Sequence, residues 1–183
     1  MTTASKVTMA RIALIPVFFV VMLWKFPGHD IIALLIFAVA SVTDSVDGYI
    51  ARKYNQVSNF GKFVDPLADK LLVISALLIF VQWGQMPAWA AMLIVTREFA
   101  VTGLRLIAVE GGLVIPAGTS GKVKTVISVL AICVMLTGLH SAVIFKGVLT
   151  LNGLCVWLMV LSTVYSGVEY FIRNRKLLGL NNK

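Results

Sequence analysis

Charged residues are scarce in this sequence. Asp, Glu, Lys and Arg together make up 13% of the 183 residues, whereas a soluble domain usually carries about a quarter. Hydrophobic residues make up 59%, and the mean hydropathy is +0.93. Long apolar runs at this density indicate membrane spans rather than the core of a soluble protein. We therefore expect residues 1–183 to form one integral membrane domain, with no room for a separate soluble domain.

Cysteine and histidine are also rare, with two residues of each type. Cys133 and Cys155 both lie in apolar runs and show no ligand-like spacing, which is typical of thiols buried in a membrane protein. His29 and His140 stand alone on the outer side and are assigned no role. Because no Cys or His lies near the acidic residues discussed below, a zinc site is not expected there.

Six apolar segments are present instead. They are residues 7–24, 31–51, 67–83, 89–109, 123–139 and 148–172. Each is long enough, or nearly so, to cross about 30 Å of hydrocarbon as a helix, and helices satisfy their own backbone groups in lipid. The first segment follows a basic start without a small-residue cleavage site, so we expect a retained span. The sequence thus predicts an all-α integral membrane protein with six transmembrane helices.

The net charge is +8, and the basic residues fall mainly on one side of the predicted spans. That side carries Lys6, Arg11, Arg52, Lys53, Lys62, Arg105, Lys122, Lys124, Arg173, Arg175, Lys176 and Lys183. The opposite side carries Lys25 and Lys146. The positive-inside rule therefore predicts a multi-pass plasma membrane protein with both termini in the cytoplasm. The basic residues form no aromatic-interleaved patch, so no nucleic acid partner is expected.

Four aspartates interrupt the apolar pattern in "DSVDGYIARKYNQVSNFGKFVDPLAD", residues 44–69. Asp44 and Asp47 are three residues apart, and Asp65 and Asp69 are four apart, so each pair shares one face of a helix. The pair Asp65–Pro66 is typical of a first helical turn, and we expect it to open the third helix. Since the second and third helices are antiparallel neighbours, the pairs should meet just inside the cytoplasmic leaflet.

Carboxylates in a low-dielectric zone repel one another, and a hard divalent cation removes that cost. Carboxylate oxygens suit Mg²⁺ or Mn²⁺, which also bind substrate phosphates. Gly48 and Ala51 leave one helix face open to a ligand, although small residues also serve helix packing alone. Acidic residues could instead relay ions in a transporter. Their clustering near one membrane face and the absence of an internal repeat argue against that, and a purely structural role does not need four aspartates.

The motif D-x-x-D-G-x-x-A-R, eight residues, G-x-x-x-D-x-x-x-D resembles the signature of the CDP-alcohol phosphotransferases. That resemblance implies a six-helix homodimer that moves a substituted phosphate from a CDP-linked donor to an alcohol. It assigns the metal ligands, for two divalent ions, as Asp44, Asp47, Asp65 and Asp69. It makes Asp69 the general base. It assigns the CDP-binding residues as Thr8, Asp44, Gly48, Ala51, Arg52, Gly61 and Asp65.

Three further stretches, "FGKFVDPLADKLLV", "REFAVTGLRL" and "GKVKT", resemble bacterial members of the family that use CDP-diacylglycerol and sn-glycerol 3-phosphate. The motif itself leaves other acceptors open, such as inositol phosphate or serine. Those members usually open with Pro-Asn-x-(Leu/Ile)-Thr-x-x-Arg. This sequence keeps Thr8 and Arg11 but carries Ala4 and Ser5 in place of Pro-Asn, which would alter any contact that the asparagine makes to the nucleotide.

A phosphorylated acceptor needs a second anion site beside the metal ions. Arg105 and Lys122 are the first candidates, because guanidinium suits bidentate phosphate contact and helix N-termini attract anions. Arg97 lies deep in the fourth segment next to Glu98, where a buried ion pair is the alternative. Lys124 is the fourth candidate, with attraction to anionic lipid as its alternative.

Overall fold

The computed structural model describes the backbone of residues 3–24, 26–54, 59–110, 118–138, 143–145 and 149–175. Side chains are described for residues 9–24, 26–43, 70–109, 118–138 and 150–175. Over this part of the chain there are six helices and one two-stranded ribbon. They are α1 (Thr3–Leu23), α2 (His29–Tyr54), α3 (Asn59–Gln82), α4 (Ala88–Glu110), α5 (Thr119–Leu136), β1 (Val143–Phe145), β2 (Leu149–Thr150) and α6 (Leu151–Arg173).

Each of the six apolar segments falls largely on one of these helices, so the prediction of a helix for each segment is confirmed. The largest difference lies at the start of α3, which begins at Asn59 rather than at residue 67. Asp65 and Pro66 therefore lie in the second turn of α3, and the prediction that they open the helix is wrong. Polar residues and a glycine in the first two turns lower the hydropathy there, which hides the true start of the helix from the sequence pattern.

Glycines and prolines set several of the helix ends. Gly84 follows α3 with φ +70°, and the amides of Gln85 and Met86 both donate to the carbonyl of Phe80. A left-handed residue just beyond a helix is the usual way to satisfy its last carbonyls, and glycine adopts it without strain. Pro87 then directly precedes α4, where its missing N–H is not needed. The connection between α3 and α4 is therefore a tight reversal.

The ribbon between α5 and α6 was not predicted. β1 and β2 pair antiparallel, with Val143 opposite Thr150. Thr150 also caps α6, since its hydroxyl accepts a hydrogen bond from the amide of Gly153 at 3.1 Å. The predicted sixth segment starts at residue 148, whereas α6 begins only after this cap. Pairing and capping leave fewer polar backbone groups exposed at this end of the molecule.

The core forms where all six helices come together. Phe18 and Phe37 are fully buried with ring centroids 5.9 Å apart, and Phe80 is fully buried in the same cluster. α1 packs against both α2 and α3, which also contact each other, while α6 packs against α4 and α5. Cys133 and Cys155 are free thiols in apolar helices, as expected. This arrangement brings one end of α2 and α3 close to the facing ends of α4 and α5.

Large apolar side chains are also exposed along whole helices. On α6 they recur every three or four residues: Trp157, Leu161, Tyr165, Val168 and Ile172. A second such ridge on α2 consists of Ile31, Leu35, Val39 and Val42. Soluble monomers rarely expose continuous apolar surfaces of this length. Within the described residues, α5 and α6 are long and apolar enough to cross a membrane, and these ridges are the surfaces that lipid would cover.

Candidate active site

The four aspartates lie on the helices that the sequence predicts for them. Asp44 and Asp47 belong to α2, and Asp65 and Asp69 belong to α3. Asp44 precedes the end of α2 by ten residues, and Asp69 follows the start of α3 by ten, so the backbone sets the two at similar distances from the connection. Their side chains lie outside the described residues. The same holds for the remaining predicted CDP-binding residues, Thr8, Gly48, Ala51, Arg52 and Gly61.

A cationic cavity of about 160 Å³ lies beside this motif, between α3, α4, α5 and α6. Three of the four predicted acceptor-binding residues line it, namely Arg97 and Arg105 from α4 and Lys122 from α5. Lys70 of α3 contributes a fourth cation. Arg97 and Arg105 are eight residues apart, which brings them to the same side of α4 about two turns apart. Such a concentration of positive charge in one recess favours a small anion.

A smaller cavity of about 90 Å³ lies next to this recess and is lined in part by the motif helices α2 and α3. Ser41 of α2, one turn before Asp44, and Lys70 of α3, directly after Asp69, both line it. Lys70, Glu98 and Thr125 line both cavities. The cationic recess is therefore the immediate neighbour of the aspartate motif, although the two are far apart in the sequence.

Glu98 binds two of the cationic side chains around it. One carboxylate oxygen, Oε1, accepts hydrogen bonds from Arg97 Nη1 at 3.1 Å and from Lys124 Nζ at 2.5 Å. Arg97 Nη2 donates in addition to the hydroxyl of Ser166 on α6. The ion pair expected as the alternative for Arg97 is thus present, although both side chains are only partly buried, and Arg97 lines the cationic cavity as well. Its guanidinium is held from two helices.

Lys124 takes a different place from the other three candidates. It is only 4% exposed and lines the smaller cavity rather than the cationic one. Its ammonium is engaged by Glu98. A buried, paired lysine does not face the lipid, so the alternative of attraction to anionic headgroups does not describe this residue. Lys124 instead neutralises Glu98 and leaves the cationic character of the recess to Arg97, Arg105, Lys122 and Lys70.

Sequence reasoning missed the contribution of α6. Three polar residues of this apolar helix, Thr163, Ser166 and Tyr170, are buried at 0%, 1% and 7% exposure. Ser166 bonds Arg97, and the ring of Tyr170 lies under the guanidinium of Arg105, with 5.5 Å between the ring centroid and Cζ. The spacing of these residues on one helix face was the available signal, since uncharged polar groups at such positions in a membrane helix usually have partners.

Comparison of the sequence with known protein families identifies the family of this chain. Residues 1–166 match the model of the CDP-alcohol phosphatidyltransferases. The chain belongs to this family. A relative from Bacillus subtilis (strain 168), named CDP-diacylglycerol--glycerol-3-phosphate 3-phosphatidyltransferase, is 45% identical over 97% of each chain. One of that name from Rickettsia bellii (strain RML369-C) is 37% identical over 90% of each chain.

A third relative of this CDP-alcohol phosphatidyltransferase comes from Mycobacterium tuberculosis (strain H37Rv). It is named probable phosphatidylglycerophosphate synthase and is 37% identical over 96% of this chain and 83% of its own. All three relatives span nearly the full length of the chain. The match therefore extends over the segments that carry the aspartate motif of α2 and α3 and over α4 and α5, which line the cationic recess.

Proposed function

We propose that this protein transfers the phosphatidyl group of CDP-diacylglycerol to sn-glycerol 3-phosphate, giving phosphatidylglycerol phosphate and CMP. The observation that carries the proposal is the cationic cavity next to the motif. Family membership accounts for a CDP-linked donor but leaves the acceptor open. A recess lined by Arg97, Arg105, Lys122 and Lys70 suits an acceptor that carries a phosphate dianion. The names of the relatives from Bacillus and Rickettsia support the same acceptor.

The metal site is assigned to the four aspartates. A set of four carboxylates without Cys or His fits Mg²⁺ or Mn²⁺, and the family resemblance favours two ions held by Asp44, Asp47, Asp65 and Asp69. When bound, such ions stabilise the negative charge on phosphoryl oxygens and on the departing CMP. The paired positions of the motif on α2 and α3 support this assignment. The proposed contacts to the cytidine nucleotide come from Thr8, Gly48, Ala51, Arg52 and Gly61.

The protein groups then have separate tasks. Arg97, Arg105 and Lys122 bind the acceptor phosphate and hold its hydroxyl towards the donor. Asp69 takes the proton of that hydroxyl as its oxygen bonds to the phosphorus that carries the diacylglycerol. The bond from this phosphorus to the bridging oxygen breaks, and CMP leaves with the electron pair. Because Lys70 follows Asp69 in α3 and lines the acceptor cavity, base and acceptor site are linked through adjacent residues of one helix.

The same proposal includes the placement in the membrane. All six helices of the single domain span the bilayer, both termini lie in the cytoplasm, and the aspartates face the cytoplasmic leaflet. The exposed apolar ridges on α2 and α6 support contact with lipid along these helices. The acyl chains of the donor would remain in the leaflet while its cytidine head enters from the cytoplasm. The resemblance also favours a homodimer in the bacterial plasma membrane.

The direct test is CMP release by the purified protein in detergent with CDP-diacylglycerol. Glycerol 3-phosphate, inositol phosphate, serine and glycerol are compared as acceptors, each with Mg²⁺ or Mn²⁺ and after chelation. We expect release that requires both a divalent ion and glycerol 3-phosphate. Release with another acceptor would keep the family chemistry but reject the proposed substrate. No release with any acceptor, from protein shown to be folded, would reject the enzyme and favour ion transport.

A further inference from the structure

Tyr170 of α6 was not among the residues that the sequence predicted for the site, yet within the described part of the structure it has an unsatisfied polar group next to the cationic cavity. Its side chain is 7% exposed, and its hydroxyl is buried without a hydrogen-bond partner among the described residues. Buried tyrosine hydroxyls usually bond to a protein group or to water, because an unsatisfied one loses its hydration. Tyr170 also lines the cationic cavity. A ligand in that cavity would provide the missing partner.

Two other hydrogen-bond donors beside the cavity are also buried and, in the described part of the chain, unsatisfied. The Nε–H groups of Arg97 and Arg105 are buried without partners among the described residues, and both arginines line the recess with Tyr170. Three unsatisfied donors around one cavity match a ligand that offers several acceptor oxygens. A phosphate monoester has three such oxygens and a charge opposite to that of the arginines.

The aromatic ring of Tyr170 also contacts Arg105. Arg105 Cζ lies 5.5 Å from the ring centroid, which is cation–π range. The ring is itself fixed by packing against Val101 and Leu104 and by an edge contact to Phe171, with centroids 6.4 Å apart and planes at 84°. A ring held in this way restricts where the guanidinium can point. Arg105 thus meets the ligand with its side chain already oriented.

We propose that Tyr170 is an acceptor-binding residue whose hydroxyl donates a hydrogen bond to the acceptor phosphate while its ring orients Arg105. The proposal rests on the proposed function, because it places a phosphorylated alcohol in this cavity. It adds a residue of α6 to a site otherwise built from α3, α4 and α5. It also provides a reason for selecting phosphorylated over neutral acceptors, since glycerol offers these three donors no anionic oxygen.

The test compares Tyr170→Phe and Tyr170→Leu with a matched control, Tyr165→Phe. Tyr165 lies on the same helix but is 68% exposed on the apolar ridge. Tyr170→Phe keeps the ring and removes only the hydroxyl, so we expect the KM for glycerol 3-phosphate to rise about tenfold. Tyr170→Leu also removes the cation–π contact and should raise that KM by about a further fivefold. The KM for CDP-diacylglycerol should stay within about twofold in both, and Tyr165→Phe should match the wild type.

An acceptor KM unchanged in Tyr170→Phe would overturn the proposal, as would equal increases for acceptor and lipid donor. Loss of folded protein in Tyr170→Phe would make the hydroxyl a structural group and would also overturn it. A second readout is the thermal stabilisation by inorganic phosphate in the presence of CMP, which should be weaker in Tyr170→Phe. If the wild type fails to use glycerol 3-phosphate yet shows this difference, the proposed substrate fails while the role of Tyr170 in binding phosphate holds.

Discussion

At the scale of single residues, the catalytic proposal depends on Asp69. Replacing it by Asn removes the base but keeps the size of the side chain, so we expect kcat to fall by about a hundredfold or more. The thermal midpoint should change little, because no buried apolar packing is lost. Activity and melting temperature are measured on the same preparation. Near-normal turnover would remove Asp69 from the role of base, and Asp47→Asn serves as a comparison that should also weaken metal-dependent nucleotide binding.

Arg105 provides the second test at this scale. Arg105→Ala deletes a guanidinium that lines the acceptor cavity and stacks on Tyr170. We expect the KM for glycerol 3-phosphate to rise at least tenfold, as for loss of a charge-assisted hydrogen bond, with a smaller effect on the lipid donor. Arg173→Ala, which removes an exposed arginine at the end of α6, is the control for general loss of charge. Equal effects on both substrates would exclude Arg105 from the acceptor site.

The sequence alone could bring Arg97, Arg105 and Lys122 together as one anion site, because their positions along α4 and α5 follow from helix geometry, and all three line the same cavity. It could not show that Lys124 is buried against Glu98. Both lysines lie near the start of α5, two residues apart, and that separation turns their side chains in different directions around the helix axis. The neighbours on the other helices then decide which cation faces the cavity and which forms an ion pair.

At the scale of helices, Glu98 joins α4 to α5. Glu98→Gln would leave the buried ammonium of Lys124 without its counter-charge, and we expect a loss of about 3 kcal/mol in unfolding free energy. Unfolding in detergent, followed by circular dichroism, measures this loss. The double variant Glu98→Gln/Lys124→Met removes both charges and should recover part of the stability. A single variant as stable as the wild type would show that this pair does not hold the two helices together.

Gly167 controls the contact between α4 and α6. A Cβ added there would lie 3.2 Å from Cγ of Arg97, which is tighter than ordinary packing. Gly167→Ala should therefore displace the arginine stem and raise the acceptor KM about threefold, in keeping with mild overpacking. Gly103→Ala is the matched control, because its Cβ would meet no atom within 4 Å. Equal kinetics in both variants would show that the stem of Arg97 adjusts without cost.

The limits of prediction at this scale follow from hydropathy. Apolar runs locate the middle of each helix well, as for α4 and α6. They fail at the start of α3, where Asn59, Lys62 and Asp65 lower the hydropathy of a segment that is helical all the same. They also miss the link between Ser166 and Arg97, since nothing local in α6 indicates which helix lies against it.

For the whole molecule, the orientation in the membrane is the main prediction. The distribution of basic residues predicts that both termini lie in the cytoplasm. A fluorescent protein fused after Lys183 should therefore fluoresce, and alkaline phosphatase fused at the same position should be inactive. The reverse result is expected for fusions at Lys146, in the connection between α5 and α6. Active phosphatase at Lys183 would mean that the proposed orientation, and the cytoplasmic entry of the nucleotide, are wrong.

The position of the cationic cavity at one end of α5 has a kinetic consequence. The 18 residues of α5 span about 27 Å, slightly less than the hydrocarbon layer, and its first turn carries the Lys122 side of the cationic cavity. In the proposed orientation the acceptor reaches this end by diffusion through water, whereas the donor arrives by lateral diffusion within the leaflet. Turnover should then depend on the molar concentration of one substrate and on the surface density of the other, so adding inert lipid or detergent at fixed acceptor would slow only the encounter with the donor.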